Sequence, residues 1–201
     1  MKKYAWIVIY VSVLLWSFID PKDYFTWFLE VFPALIGVVL IIATYNSFRL
    51  TSLLYILILV HCIVLMIGGH YTYAEVPLFD HLQQLLHTGR NDYDKVGHFF
   101  QGFVPAILAR EILVRKEIVK QSLWLSFIVV SIVLAFSALY ELIEWWVALA
   151  TGENAEAFLG TQGYVWDTQS DMAYALSGAI LSLLFLSHIH DKQLKNTINK
   201  C

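Results

Sequence analysis

Charge is scarce in this chain: only 14% of its residues are Asp, Glu, Lys or Arg, against about 25% in an ordinary soluble domain. Cysteine is nearly absent. Cys62 sits inside an apolar run and Cys201 at the far end, so there is no CxxC, no zinc-type spacing and no useful disulfide staple. There is no GxSxG, no P-loop and no HExxH, which removes the common hydrolase, NTPase and metalloprotease readings. A net charge of −3 without any basic run gives no sign of nucleic-acid binding.

Apolar sequence is what the chain has in abundance. The hydrophobic fraction is 59% and the mean hydropathy +0.64. The apolar residues fall in six stretches, at roughly 4–19, 25–45, 51–69, 94–109, 122–146 and 171–189, and a membrane-spanning helix needs about 20 residues. The expected fold is all-α: one integral membrane domain over 1–201, a bundle of six transmembrane helices. Lys2 and Lys3 before the first stretch imitate a signal peptide, but the run ends at Asp20-Pro21 without a small-x-small site. The first and fourth stretches are short, and the fourth holds Pro105 and closes early at Arg110. Neighbouring helices re-satisfy the carbonyl that such a proline frees, so a kink is expected there and not a break.

Loop charge orients the bundle. Ten of the 13 Lys and Arg residues fall on one side: Lys2, Lys3, Arg49, Arg110, Arg115, Lys116, Lys120, Lys192, Lys195 and Lys200. Lys22, Arg90 and Lys95 lie opposite. Both termini are therefore expected in the cytoplasm, with Trp16, Trp27, Trp145, Trp146 and Trp166 along the outer interface and Trp6 and Trp124 along the inner one. Between the third and fourth stretches, Pro77 opens a segment with Leu78, Phe79, Leu82, Leu85 and Leu86 on one face, closed by Gly89. Its period is helical. It reads either as a surface helix on the outer leaflet or as a cap over the bundle. The second outer loop, 151–166, has no readable conformation.

The outer ends also carry the ionisable residues. Asp94 and His98 stand one turn apart, as do Asp167 and Asp171, and Glu141 and Glu144 are spaced at three. From Trp124 to Tyr140 is roughly 25 Å of helix at about 1.5 Å per residue, which puts Glu141 near the outer boundary. Each pair alone is common on exposed helices. Three helices that alternate in direction bring all three to one depth, where like charges repel unless a cation, protons or basic partners intervene. Ionisable residues inside a membrane are functional candidates by default. The oxygen-rich set with one imidazole suits a divalent metal without selecting among Mg²⁺, Mn²⁺, Zn²⁺ and Fe²⁺. Asp94, His98, Glu141, Asp167 and Asp171 are the candidate ligands, Glu144 a proton acceptor and Lys95 an anion contact. The alternative is a hydrated outer vestibule with partly solvated carboxylates. His61 reads as a helix–helix hydrogen-bonding residue and Glu30 as a residue that snorkels or pairs locally.

His70-Tyr-Thr-Tyr-Ala-Glu75-Val-Pro77, Asp94-Lys-Val-Gly-His98-Phe-Phe-Gln-Gly102, Tyr140-Glu-Leu-Ile-Glu-Trp-Trp146 and Gly163-Tyr-Val-Trp-Asp-Thr-Gln-Ser-Asp171-Met resemble the YjdF-type bacterial inner-membrane proteins over nearly the whole chain. That resemblance implies a multi-pass protein of the bacterial inner membrane and assigns no reaction. A looser one, over the last half only, runs to VanZ-like proteins through Asp94, Lys95, His98, Phe99, Glu141, Asp167 and Asp171, departing in the 151–166 loop. It implies envelope chemistry.

Three functions follow as expectations. The first is a metal-dependent enzyme acting outside the membrane on an envelope or lipid-linked substrate, the metal polarising an oxygen and activating a water. The second is a proton- or cation-linked binding or transport protein, and the third a non-catalytic membrane scaffold. The inner halves of the spans read as almost purely apolar, which favours a one-sided site over transport.

Overall fold

In the computed structural model, residues 3–120, 122–151 and 162–198 are described. They form seven helices: α1 (Lys3–Phe18), α2 (Tyr24–Thr44), α3 (Ser52–Tyr71), α4 (Pro77–Leu86), α5 (Tyr93–Arg115), α6 (Leu123–Thr151) and α7 (Asp167–Ile198). No strand occurs among the described residues. Four helices, α2, α3, α6 and α7, are long and apolar enough to cross a membrane, and α1 is a shorter apolar helix. Lys2, residues 152–161 of the second outer loop, Lys200 and Cys201, read above from the sequence, lie outside the described residues.

Local chemistry sets the helix ends. The Asp23 carboxylate accepts from the Thr26 N–H at 2.7 Å, capping α2. Pro77 occupies the first turn of α4, where its missing N–H costs nothing. Pro33 and Pro105 sit within unbroken helices. Leu78, Leu85 and Leu86 of α4 are exposed, leaving an apolar stripe of the kind that lies in a membrane interface.

The helices pack as two sets joined through α3 and α5. Trp6, Tyr10, Val31, Ala34 and Met66 form the core of α1–α3. Ala106, Val129, Val133, Ala179 and Leu183 form that of α5–α7, and Leu54, Val104 and Ile107 join the sets. Lipid tails are as apolar as leucine, so close packing rather than hydrophobic burial holds such helices together. The closest pair is α5 and α7, which run parallel. A Cβ built on Gly102 would stand 1.8 Å from the Ala175 carbonyl oxygen, and one on Gly178 2.1 Å from that of Phe99. The seam is backbone against backbone.

Three expectations change here. Arg110 does not close the fourth stretch, because α5 continues to Arg115. Arg110 reaches His190 Nδ1 at 3.0 Å and Asp191 at 2.7 Å on α7, so its charge is satisfied within the helix pair. Nor are the ends of α5 and α7 remote from Asp94 and Asp171 the almost purely apolar segments expected above. Glu111 and His190, both fully buried, lie 3.0 Å apart, and Glu111 also accepts from Arg115, from the Thr51 hydroxyl and from the Thr51 N–H. Single polar residues at the ends of apolar runs meet only after the helices pack, which is why the runs looked featureless. Trp6 and Trp27, finally, leave the interfacial belt. They are buried and donate to the Tyr55 carbonyl and the Ser17 hydroxyl, whereas Trp16, Trp124, Trp145, Trp146 and Trp166 are exposed.

Candidate functional site

Two helix N-termini meet at one end of the α5–α7 seam. Asp94 lies in the first turn of α5 and Asp167 in that of α7, where unpaired N–H groups and the helix dipole favour negative charge. The α-helical spacing then puts His98 below Asp94 and Asp171 below Asp167. One ligand atom from each of Asp94, His98 and Asp171 falls within 4.8 Å of the others, and all three residues are buried.

The imidazole is the centre of this group. His98 Nδ1 lies 2.9 Å from Gln101 Oε1, which can only accept there. The opposite nitrogen, Nε2, faces Asp94 Oδ1 at 3.3 Å and Asp171 Oδ2 at 3.9 Å. Ligands about 2.1 Å from one tetrahedral metal ion stand roughly 3.4 Å from each other, so the Asp94–His98 separation already fits, while Asp171 would have to move closer by about half an ångström or more. A histidine whose second nitrogen donates to a fixed acceptor is the usual arrangement of a metal ligand. Glu141 approaches from α6, with Oε1 3.8 Å from His98 Nδ1. Asp171 Oδ1 and Glu141 Oε1 are buried without a hydrogen-bond partner among the described residues.

Glu144 faces a cavity of about 90 Å³ beside the cluster, together with Asp94, His98, Glu30, His61 and Tyr140. Tyr73 closes it. Its ring is wedged against α5 at Gly97, where a Cβ would stand 2.7 Å from the ring. Asp167 is placed differently: it accepts an ion-paired hydrogen bond from Arg90 and lies outside the three-residue group. Lys95 is also apart, with Nζ 2.6 Å from Asp92 at the rim.

The sequence reading missed three contributors. Arg90, buried in the loop before α5, sits 3.7 Å from Asp94 as well as against Asp167. Its burial alone would lower its pKa, but Asp167, Asp94 and Asp171 outweigh burial and hold the guanidinium above its ordinary range. Arg90 is thus a buried fixed cation against the cluster, supplied by the loop and not by the helices. Its 77-residue separation from Asp167 left no local signal. Glu30 does not snorkel: it is buried and lines the cavity. His61 lines the cavity and stacks on Phe100 of α5 at 6.5 Å, and its buried Nε2 finds no partner among the described residues. A carboxylate and an imidazole facing inward from apolar runs were the available clue. His70 and Glu75 stay outside the cluster. His70 Nδ1 meets the Ser17 carbonyl at 3.1 Å, and Glu75 pairs with Lys22 at 2.9 Å in the open, raising the lysine pKa through that hydrogen bond.

Apolar helices long enough to cross a bilayer, joined to a buried histidine–carboxylate group at one end of the bundle, define a helical integral membrane protein with a polar centre. The chain belongs to the family described as predicted membrane protein (DUF2238), whose profile matches residues 3–192. It is 52% identical over 183 residues to the inner membrane protein YjdF of Escherichia coli (strain K12), an alignment covering 91% of this chain and 88% of that protein. It is thus a multi-pass protein of the bacterial inner membrane. No solved structure matches it.

Proposed function

We propose that the protein is a six-span inner-membrane protein whose outer-end cluster binds a divalent cation and uses it on an envelope or lipid-linked substrate. The observation that carries this reading is the buried convergence of Asp94, His98 and Asp171, with Gln101 holding the imidazole so that Nε2 faces both carboxylates. The unpartnered oxygens of Asp171 and Glu141 support it. Asp94, His98 and Asp171 are the ligands, and Glu141, on the Nδ1 side of the ring, adds negative charge beside them instead of a fourth ligand. Asp167 with Arg90 flanks the cation, Glu144 accepts a proton across the cavity and Lys95 meets an anionic group at the rim. The bound cation supplies Lewis acidity and lowers the pKa of a water.

Metal content of detergent-purified protein tests the reading. Wild type should retain a divalent metal that Asp94→Ala loses and that Asp171→Asn holds more weakly. Added metal should raise the unfolding temperature by binding the native state. That rise should grow as pH increases through the acidic range, since protons and metal compete for the same oxygens. Metal-free protein whose unfolding ignores Mg²⁺, Mn²⁺ and Zn²⁺ near neutral pH would leave the hydrated vestibule in its place.

The six spans are α1, α2, α3, α5, α6 and α7, forming one membrane domain with both termini cytoplasmic. Support comes from the ten basic residues on one side. Reporters fused after Lys200 should give cytoplasmic signal, and those near Thr88 or Asn154 periplasmic signal. A periplasmic C-terminus refutes the topology.

A further inference from the structure

The α1 and α2 helices both rest on α3 but splay apart from each other. They are pinned near one end by the Trp27–Ser17 hydrogen bond and the Phe18–Trp27 ring contact, and halfway along by the Tyr10 hydroxyl on the Ala34 carbonyl. Beyond that point the gap widens into a cleft of about 650 Å³ at the end that carries Lys3 and Arg49.

The chemistry of the cleft is divided along its length. Ile7, Val11, Val38 and Ile41 line its walls. Trp6 and Tyr10, stacked 5.3 Å apart, are part of the lining too, and their polar atoms are spent on backbone carbonyls. At the mouth, Lys3 Nζ and the Arg49 guanidinium lie 4.6 and 5.4 Å from the centroid of one ring, that of Tyr45. Asn46 and Ser52 add hydrogen-bonding groups beside them, and no carboxylate lines the cleft among the described residues. Two cations gathered on one aromatic ring above a long apolar slot match an amphiphile with a negative head.

We propose that this cleft is a specific site for an anionic phospholipid of the surrounding membrane, its phosphate between Lys3 and Arg49 and one acyl chain along Val11 and Val38. A bare anion has no use for the apolar walls, and a second protein helix has none for the paired cations. Basic side chains at a membrane surface select anionic head groups electrostatically, and the chain contributes through buried methylenes.

The test is native mass spectrometry of the full-length protein, purified in detergent and mixed with phosphatidylglycerol and phosphatidylcholine of identical acyl chains. Wild type should retain phosphatidylglycerol preferentially. Lys3→Gln with Arg49→Gln should reduce that preference by roughly tenfold, and Val38→Trp, which fills the slot, should reduce retention of both lipids. The glutamine variants alter exposed residues only, so their unfolding temperature without lipid should match wild type and separates binding from folding. Equal retention of the two lipids by wild type overturns the proposal. So does a preference unchanged in the glutamine variants, or a dimer in place of the lipid adduct.

Discussion

Gly102→Ala is expected to destabilise the protein by about 3 kcal/mol, at the upper end of what overpacking ordinarily costs. The added methyl would stand 1.8 Å from the Ala175 carbonyl oxygen and 2.5 Å from its carbon, both backbone atoms that no rotamer change can move aside. The helices α5 and α7 would have to separate, and close approach is what holds them in lipid. Gly178→Ala should act in the same direction, since its methyl would meet the Phe99 carbonyl oxygen at 2.1 Å and the Phe103 nitrogen at 2.9 Å. Gly37→Ala is the control, because nothing lies within 4 Å of its Cβ position. It should be neutral or slightly stabilising, alanine being the better helix former. Thermal unfolding in detergent reads all three, and a Gly102→Ala variant as stable as wild type would refute the backbone seam.

Glu111→Ala should cost a comparable amount, about 3 kcal/mol or more. Removing one partner of a buried ionic network strands the others without solvent. Here the stranded groups are the Arg115 guanidinium, the His190 imidazole, and the hydroxyl and N–H of Thr51. Thr51 is the N-cap of α3, so the carboxylate also meets the positive end of that helix dipole. Gln193 of α7 accepts from the next free donor, the Leu53 N–H, at 2.8 Å. Three helices are thus tied at one point. The exposed Lys22–Glu75 pair provides the contrast, since water and salt compete for both of its partners. Lys22→Ala should leave the unfolding temperature unchanged. Equal effects of the two substitutions in urea or heat would remove Glu111 from its place as the tie.

The sequence carried the helices well because lipid imposes a length and a composition on each one. The apolar stretches at 25–45, 51–69 and 122–146 correspond to α2, α3 and α6 within a few residues. The meeting of Asp94, His98 and Asp171 was legible for a related reason: helical period fixes which residues share a face, and the alternation of spans fixes which ends share a side. Lateral neighbours are another matter. Nothing in a hydropathy pattern says which helix stands beside which, so Glu111 and His190 read as two isolated polar residues when they are one pair. Arg90 was opaque because a loop follows no period. Glu30 and His61 were read by the habits of their residue types, and the fold turned both inward.

The backbone contact at Gly102 and Gly178 also bears on energetics across the membrane. From His98 to Glu111 is 13 residues of α5, roughly 20 Å at about 1.5 Å per residue. Just below His98, at Gly102 and Gly178, the α5 and α7 main chains touch and leave no room for water between those two backbones. Moving one elementary charge through a full membrane potential involves about 2.3 kcal/mol per 100 mV, so a helix seam closed to water is a costly path for an ion. On the proposed topology, a cation between Asp94 and Asp171 would reach its seat from the outer face and cross only a small part of the voltage. Its occupancy would then follow the ionic composition outside the membrane, and chemistry there would run electrically uncoupled from the energised bilayer.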